Sequence, residues 1–146
     1  MKIVTIIGSP NVPLGQLRNT KQRKVILEEL AKLESHPTAS ELYEIVRKRL
    51  PRISLGTVYR NLEILSQFRK INTLHPAGFE KRFDGRTDLH YHVRCVRCGR
   101  LDDVPLEPFD TIDEAARNVT EYEILSHSIE FVGVCARCRS HKEKEP

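Results

Sequence analysis

An α+β fold in two parts is what the sequence predicts: three short helices closed by a hairpin, then a small mixed domain of strands and one helix. Three observations carry that expectation. Apolar residues recur at helical spacing in three successive runs before residue 66, each bounded by a cap or a proline. From about residue 70 the pattern shortens into runs suited to strands. Four cysteines, all in the C-terminal half, fall into two pairs, Cys95-x-x-Cys98 and Cys135-x-x-Cys138.

Length and charge set the frame. The 146 residues accommodate one ordinary domain or two small ones. Residues 1–86 hold 16 Lys and Arg against 8 Asp and Glu, whereas residues 87–146 hold 8 against 12. A basic half joined to an acidic half points to a polyanion-binding module attached to a module with another task. No apolar run is long enough to span a bilayer, and Ile3–Ile7 is too short for a signal-peptide core, so no membrane association and a cytoplasmic location are expected. In that compartment Cys-x-x-Cys pairs read as metal or redox sites rather than disulfides.

Residues 1–17, broken by Gly8, Pro10 and Pro13, read as an irregular arm. A helix starts at Thr20, with Ile26, Leu27, Leu30 and Leu33 on one face, and ends at His36-Pro37. Thr38-Ala39-Ser40-Glu41 has the form of a capping box, followed by Leu42, Ile45, Val46 and Leu50 and a stop at Pro51. Ser54 caps a third helix, whose apolar face is Leu55, Val58, Leu62 and Leu65. Residues 70–75 and 79–83 are expected as strands around Pro76-Ala77-Gly78. Three helices and a hairpin describe a winged helix-turn-helix over residues 1–83. Residues 84–89 are polar and read as a hinge. Residues 90–146 form the second domain: strands over Tyr91–Cys95 and near Leu101–Val104, a helix over 107–118, a strand over 123–134, and a charged tail from Ser140.

The cysteine pairs can place four thiolates on one tetrahedral Zn²⁺, each pair gripping it from one turn. A redox dithiol needs only one pair, set at a helix start, so a structural zinc is the expected use. Its four thiolates would leave a local charge of about −2, which Arg94, Arg97, Arg100, Arg137 and Arg139 surround in sequence.

A second donor set is more scattered. His90 and His92 are two apart on a predicted strand and share a face. Asp88, Asp102 and Asp103 are near in sequence, Asp84 closes the hairpin, and His36 lies between the first two helices. Three imidazoles and two carboxylates would make a nitrogen–oxygen site suited to Fe²⁺ or Mn²⁺ rather than to closed tetrahedral zinc. The plain alternative is a packed pair of strand histidines and a His36 that ends a helix. His75, His127 and His141 have weaker claims.

Taken together, Arg18-x-Thr20-x-Gln22-Arg23, His36-Pro37-Thr38-Ala39, Ser54-x-x-Thr57-Val58-Tyr59-Arg60-Asn61-Leu62, Arg82-Phe83-Asp84, His90-Tyr91-His92-x-x-Cys95-x-x-Cys98-Gly99 and Gly133-Val134-Cys135-x-x-Cys138 resemble the ferric uptake regulator family. The resemblance runs from about Arg18 through nearly the whole chain. It implies a winged-helix DNA-binding domain, a C-terminal dimerisation domain, and a homodimeric, metal-dependent transcriptional repressor rather than an enzyme. The chain looks most like the peroxide-sensing (PerR) branch, whose regulatory ligands fall here on His36, Asp84, His90, His92 and Asp103. Asp103 stands where iron-sensing members usually carry Glu, and a one-residue slip would exchange it for Asp102. Another metal site of iron-sensing members falls here on Leu89 and Tyr91, which cannot build it, although His127 survives.

The resemblance further implies one Zn²⁺ on Cys95, Cys98, Cys135 and Cys138 and one Fe²⁺ or Mn²⁺ per subunit. It implies a double-stranded DNA operator contacted by Arg18, Lys21, Arg23, Thr57, Tyr59 and Arg60, and no small organic substrate. Release from DNA would follow iron-catalysed oxidation of His36 or His90. Three other readings stand beside this one: a metal-uptake repressor without peroxide sensing, a metal-dependent hydrolase using His36, His90 and His92, and a zinc-stabilised interaction protein.

Overall fold

A computed structural model describes residues 15–141. The expected arm up to residue 14 and the tail beyond residue 141 lie outside the described residues. Two compact units are present, dividing between Thr87 and Asp88.

The N-terminal unit opens with α1 (Lys21–Ala31), whose N-cap Thr20 accepts a hydrogen bond from the Arg23 amide. Its buried stripe is Val25, Ile26 and Leu30; Leu27 and Leu33, expected in that stripe, are only half-buried. The second helix, α2 (Ala39–Val46), starts with the full capping box. Thr38 accepts from the Glu41 amide, and Glu41 accepts from the Thr38 amide. The third, α3 (Leu55–Gln67), is capped by Ser54. Its core face is Val58, Leu62 and Leu65, whereas Leu55 is 42% exposed and does not belong to it. These helices close over one cluster that also holds Leu42, Val46, Ile53, Ile71 and Phe83.

The wing strands are shorter than expected: β1 (Asn72–Leu74) pairs antiparallel with β2 (Arg82–Asp84), Asn72 opposite Asp84. Ile71 is drawn into the core, and Pro76 has no N–H to extend the ladder. Asp84, read from sequence as the first hinge residue, is the last residue of β2 and is buried.

The C-terminal unit is built on β3 (Tyr91–Cys95), flanked by antiparallel β4 (Leu101–Val104) and parallel β5 (Glu130–Gly133). The helix α4 (Asp110–Val119) begins three residues later than expected, because Pro105 and Pro108 hold the chain out of helix before it. Asp110 and Asp113 in its first turn and Arg117 in its last suit the helix dipole. The long strand expected over 123–134 is only four residues, since the preceding segment is held by side chains instead of a ladder. A five-residue α5 (Ala136–Ser140), absent from the sequence expectation, follows Cys135. Among the described residues, only Tyr91, Cys95 and Leu101 of this unit are buried apolar groups. No described helix is long and apolar enough to cross a membrane.

One ionic knot ties the ends of α1 and α2. Buried Glu29 accepts from Lys32 Nζ and Arg49 Nη1, both at 2.8 Å. Lys32 first, then Arg49, hold its carboxyl below the ordinary 4.5, against the opposing effect of burial. A depressed carboxylate contributes stability above its unfolded pKa, and that contribution is lost as pH falls through the folded value. Arg49 is partly exposed, which screens the pair. Glu29→Gln is expected to cost the N-terminal unit about 1 kcal/mol at neutral pH. Urea unfolding should show that gap closing below about pH 4.

Candidate metal centres and DNA-facing surface

Each cysteine pair is carried on a turn that the sequence shapes locally. Cys95 ends β3, and the chain reverses through Gly99, which has φ +73° and donates its amide to the Cys95 carbonyl. Cys135 follows β5, and Cys138 sits on α5, whose Arg139 amide reaches the Cys135 carbonyl. The register Cys95↔Gly133 brings the two turns together.

All four sulfurs lie within 4.8 Å of one another, and Cys98 and Cys135 are 3.8 Å apart. A tetrahedron of thiolates on zinc has edges of about 3.8 Å for Zn–S bonds of about 2.3 Å. Backbone N–H groups of Cys135 and then Cys98 lower the Cys95 thiol to about 6. The Arg100 amide lowers Cys98. Hydrogen bonding to Cys135, with burial next, pushes Cys138 up to about 12. Cys138 thus keeps its proton unless a dication takes its place. Among the arginines expected to offset this charge, Arg97 donates to the Cys138 carbonyl at 2.8 Å. Arg94 instead pairs with Glu130 and Arg100 with Asp102.

The β3–β4 register decides between the two carboxylates. His92 faces Asp103 across the pair, while Asp102 faces Val93 and therefore belongs to the opposite side of the sheet. His90 Nε2 lies 3.1 Å from Asp103 Oδ1, and His92 Nε2 lies 3.6 Å from the same oxygen. The other His90 nitrogen, Nδ1, is 2.7 Å from the Asp88 carbonyl oxygen. A carbonyl only accepts, so Nδ1 carries the hydrogen and the neutral ring keeps its lone pair on Nε2. That lone pair faces a carboxylate oxygen, which is also an acceptor. Such a contact needs a proton or a cation between the two atoms. An imidazole oriented by a carbonyl and facing a carboxylate has the donor chemistry of a metal ligand.

A second, smaller set occurs in the N-terminal unit. The His36-Pro37 segment is tied to β2 twice: Arg82 Nη1 donates to the His36 carbonyl, and the Phe83 amide donates to that of Pro37. This tie brings His36 Nδ1 to 3.5 Å from Asp84 Oδ1, both side chains being almost fully buried. The Asp84 carboxylate is oriented by the Arg86 amide at 2.8 Å.

His127 has a different setting. The Phe109 amide donates to the Tyr91 hydroxyl, that hydroxyl donates to His127 Nε2 at 2.6 Å, and His127 Nδ1–H donates to Asp113 at 2.9 Å. Every acceptor meets a donor, so this histidine locks α4 and the segment before β5 onto β3. The sequence held a signal for it, since Tyr91 occupies a position where a metal site would want a ligand. His75 and His141 are exposed.

On the N-terminal unit, α3 presents Thr57, Tyr59 and Arg60 away from the core. The Thr57 hydroxyl is hydrogen-bonded to Ser54 at 2.9 Å. Tyr59 is 42% exposed and meets Phe83 edge-on. Lys81 Nζ lies 5.4 Å from the Tyr59 ring centre and 2.6 Å from Glu63. Sequence reasoning missed Lys81, although its place two residues before Phe83 puts both on one side of the hairpin. Arg23 donates to the Arg18 carbonyl at 2.7 Å, and Lys21 is exposed at the start of α1. Lys21, Arg49 and Arg52 line an open groove of about 340 Å³ beside Leu50, Pro51 and Ile53.

Comparison with known proteins places this architecture. The peroxide-responsive repressor PerR of Staphylococcus epidermidis is 34% identical over 123 residues, covering 84% of this chain and 82% of that protein. The peroxide stress regulator of Campylobacter jejuni superposes with a TM-score of 0.69 at 28% identity, covering 80% of this chain and 88% of that one. The ferric uptake regulator of Helicobacter pylori shares the fold, with a TM-score of 0.70 at 23% identity over 84% of this chain and 83% of that one. The model of the ferric uptake regulator family matches residues 15–132, which take in most of both units, the first cysteine pair and the whole histidine–carboxylate set, and stop short of Cys135 and Cys138. The chain belongs to the ferric uptake regulator family.

Proposed function

We propose that this protein is a metal-dependent transcriptional repressor that binds operator DNA as a homodimer and is released by peroxide. In this reading Cys95, Cys98, Cys135 and Cys138 hold one structural Zn²⁺ per subunit. His36, Asp84, His90, His92 and Asp103 together hold one regulatory Fe²⁺ or Mn²⁺. The observation that carries it is the pair of acceptors, His90 Nε2 and Asp103 Oδ1, set 3.1 Å apart on adjacent strands. Family membership and the peroxide-responsive Staphylococcus epidermidis relative support the assignment.

The five donors come from both parts of the chain, so an ion holding all of them makes metal loading and DNA affinity interdependent. His90 is oriented by the Asp88 carbonyl and Asp84 by the Arg86 amide, so the donors are set before metal arrives. Bound Fe²⁺ supplies redox chemistry with hydrogen peroxide that Mn²⁺ does not. One oxygen of the peroxide would pass to a ring carbon of His36 or His90, the other leaving as water, and the donor set would lose an imidazole. On DNA, α3 enters the major groove with Thr57, Tyr59 and Arg60 toward base edges, while Arg18, Lys21 and Arg23 face phosphates.

The C-terminal unit fits a second copy of itself. On α4, the segment after it and β5, it exposes Val119, Tyr122, Leu125, Phe131 and Val132. In the sheet order β4-β3-β5, β5 is an edge strand. Apolar exposure beside an open edge is costly unless covered.

Four outcomes test the reading. The protein loaded with Fe²⁺ or Mn²⁺ should bind duplexes selected from its genome. Peroxide should abolish binding only for the iron form, with one oxygen added at His36 or His90 by peptide mass spectrometry. Metal-dependent binding with no response to peroxide would instead leave a metal-uptake repressor. A strong zinc chelator should unfold residues 90–141, because zinc in such sites supplies on the order of 10–16 kcal/mol, more than so small a core provides. Circular dichroism and limited proteolysis read this. Tyr122→Glu should shift the protein from dimer to monomer in sedimentation, with a loss of operator affinity.

A further inference from the structure

We infer that Lys81 is a positioning residue, fixing the Tyr59 ring for sequence reading rather than holding a DNA phosphate. This rests on the DNA-binding reading above and names a specificity determinant within it.

Tyr59 and Glu63 are four residues apart on α3 and share a face. Lys81 reaches both. Its ammonium lies 2.6 Å from Glu63 Oε1 and 5.4 Å from the centre of the Tyr59 ring. The same ammonium is 5.9 Å from the centre of the Phe83 ring, and Phe83 meets Tyr59 edge to face at 6.4 Å and 88°. One side of the Tyr59 ring is therefore fixed by a cation and an aromatic edge from the wing, and the rest of the side chain remains exposed. Phe83 is fully buried in the core, so the support under Tyr59 is rigid.

The charge of Lys81 is already matched. Burial works to lower its pKa, and the hydrogen bond to Glu63 and the nearby Tyr59 hydroxyl outweigh that and raise it. An ammonium 75% covered and paired with a carboxylate releases few counterions when DNA arrives. What it offers is preorganisation. A ring held in its reading position loses no rotamer freedom on binding, and the loss of a base contact then shows as lost discrimination.

The test uses the full-length Mn²⁺-loaded protein and a duplex selected by the wild type from a random library, with a scrambled duplex as reference. Lys81→Met should lower the ratio of selected to scrambled affinity about five- to tenfold, with an unchanged slope of affinity against salt. Lys81→Arg should restore the ratio. In a Tyr59→Ala background, Lys81→Met should cause no further loss, which a general stabilising role would not produce. Glu63→Gln, which keeps the lysine but frees its charge, should lower the ratio and steepen the salt slope. Equal loss on both duplexes with a shallower slope for Lys81→Met would show a phosphate contact and overturn the inference, as would additive losses in the Tyr59→Ala background. Should the wild type select no duplex, the DNA-binding reading falls, and this inference with it.

Discussion

Metal-type donor atoms crowded together are the constraint on which the rest depends. At the cysteine cluster, four sulfurs lie within 4.8 Å of one another, with one thiol lowered to about 6 and another pushed to about 12. On the β3–β4 pair, an imidazole lone pair faces a carboxylate oxygen at 3.1 Å. The sheet contact needs a proton or a cation between its atoms, and at the cluster Cys138 keeps its proton until a dication displaces it. The Tyr91–His127–Asp113 chain provides an internal control, because there each acceptor receives a hydrogen and no cation is called for. The contrast supports the proposed reading of His90 and His92 as metal ligands and of His127 as structural.

The two units are stabilised by different means. The N-terminal unit has a continuous apolar cluster from three helices and the wing, enough for a domain of its size. Among its described residues the C-terminal unit buries only Tyr91, Cys95 and Leu101 as apolar side chains. A sheet of three short strands with so small a core needs a staple, and a metal held by the knuckle pair would join the end of β3 to the end of β5. Its exposed apolar side chains on α4 and β5 are then surface that a second copy can cover. Zinc and self-association, as proposed, thus answer the same deficit from opposite faces of the sheet's chemistry.

The sequence made the helices legible because their signals are local. Thr20, Thr38 and Ser54 cap where the chain says they should, and the Thr38–Glu41 box is complete. It misplaced Leu55 because helical spacing alone does not show where a neighbouring helix stops covering a face. It overextended the strands at 70–75 and 123–134 because a ladder requires a partner, and partner length is not written in the strand itself. The cysteines were readable from spacing, since four thiols in two knuckles have few alternative uses. The carboxylate was not. Asp102 and Asp103 differ only in which side of β4 they occupy, and that depends on the register with β3. Lys81 was missed for a similar reason: its role exists only once the wing lies on α3.

The donor count gives the proposed switch its direction. His36 with Asp84 offers two donors, and His90, His92 and Asp103 offer three. A hard dication such as Fe²⁺ or Mn²⁺ favours six-coordinate nitrogen–oxygen surroundings, so neither subset saturates it. Full loading therefore requires both parts of the chain, and loss of either His36 or His90 leaves one part with a single donor or with two. In the proposed switch, a change of one imidazole would weaken the ion's hold, so that a modification of a few atoms would be read out as DNA release. A four-thiolate site has no such property, because its donors all belong to one unit and are matched to the metal's closed tetrahedral demand. In the proposed reading the chain keeps its permanent ion within one part and divides the ligands of its replaceable ion between two.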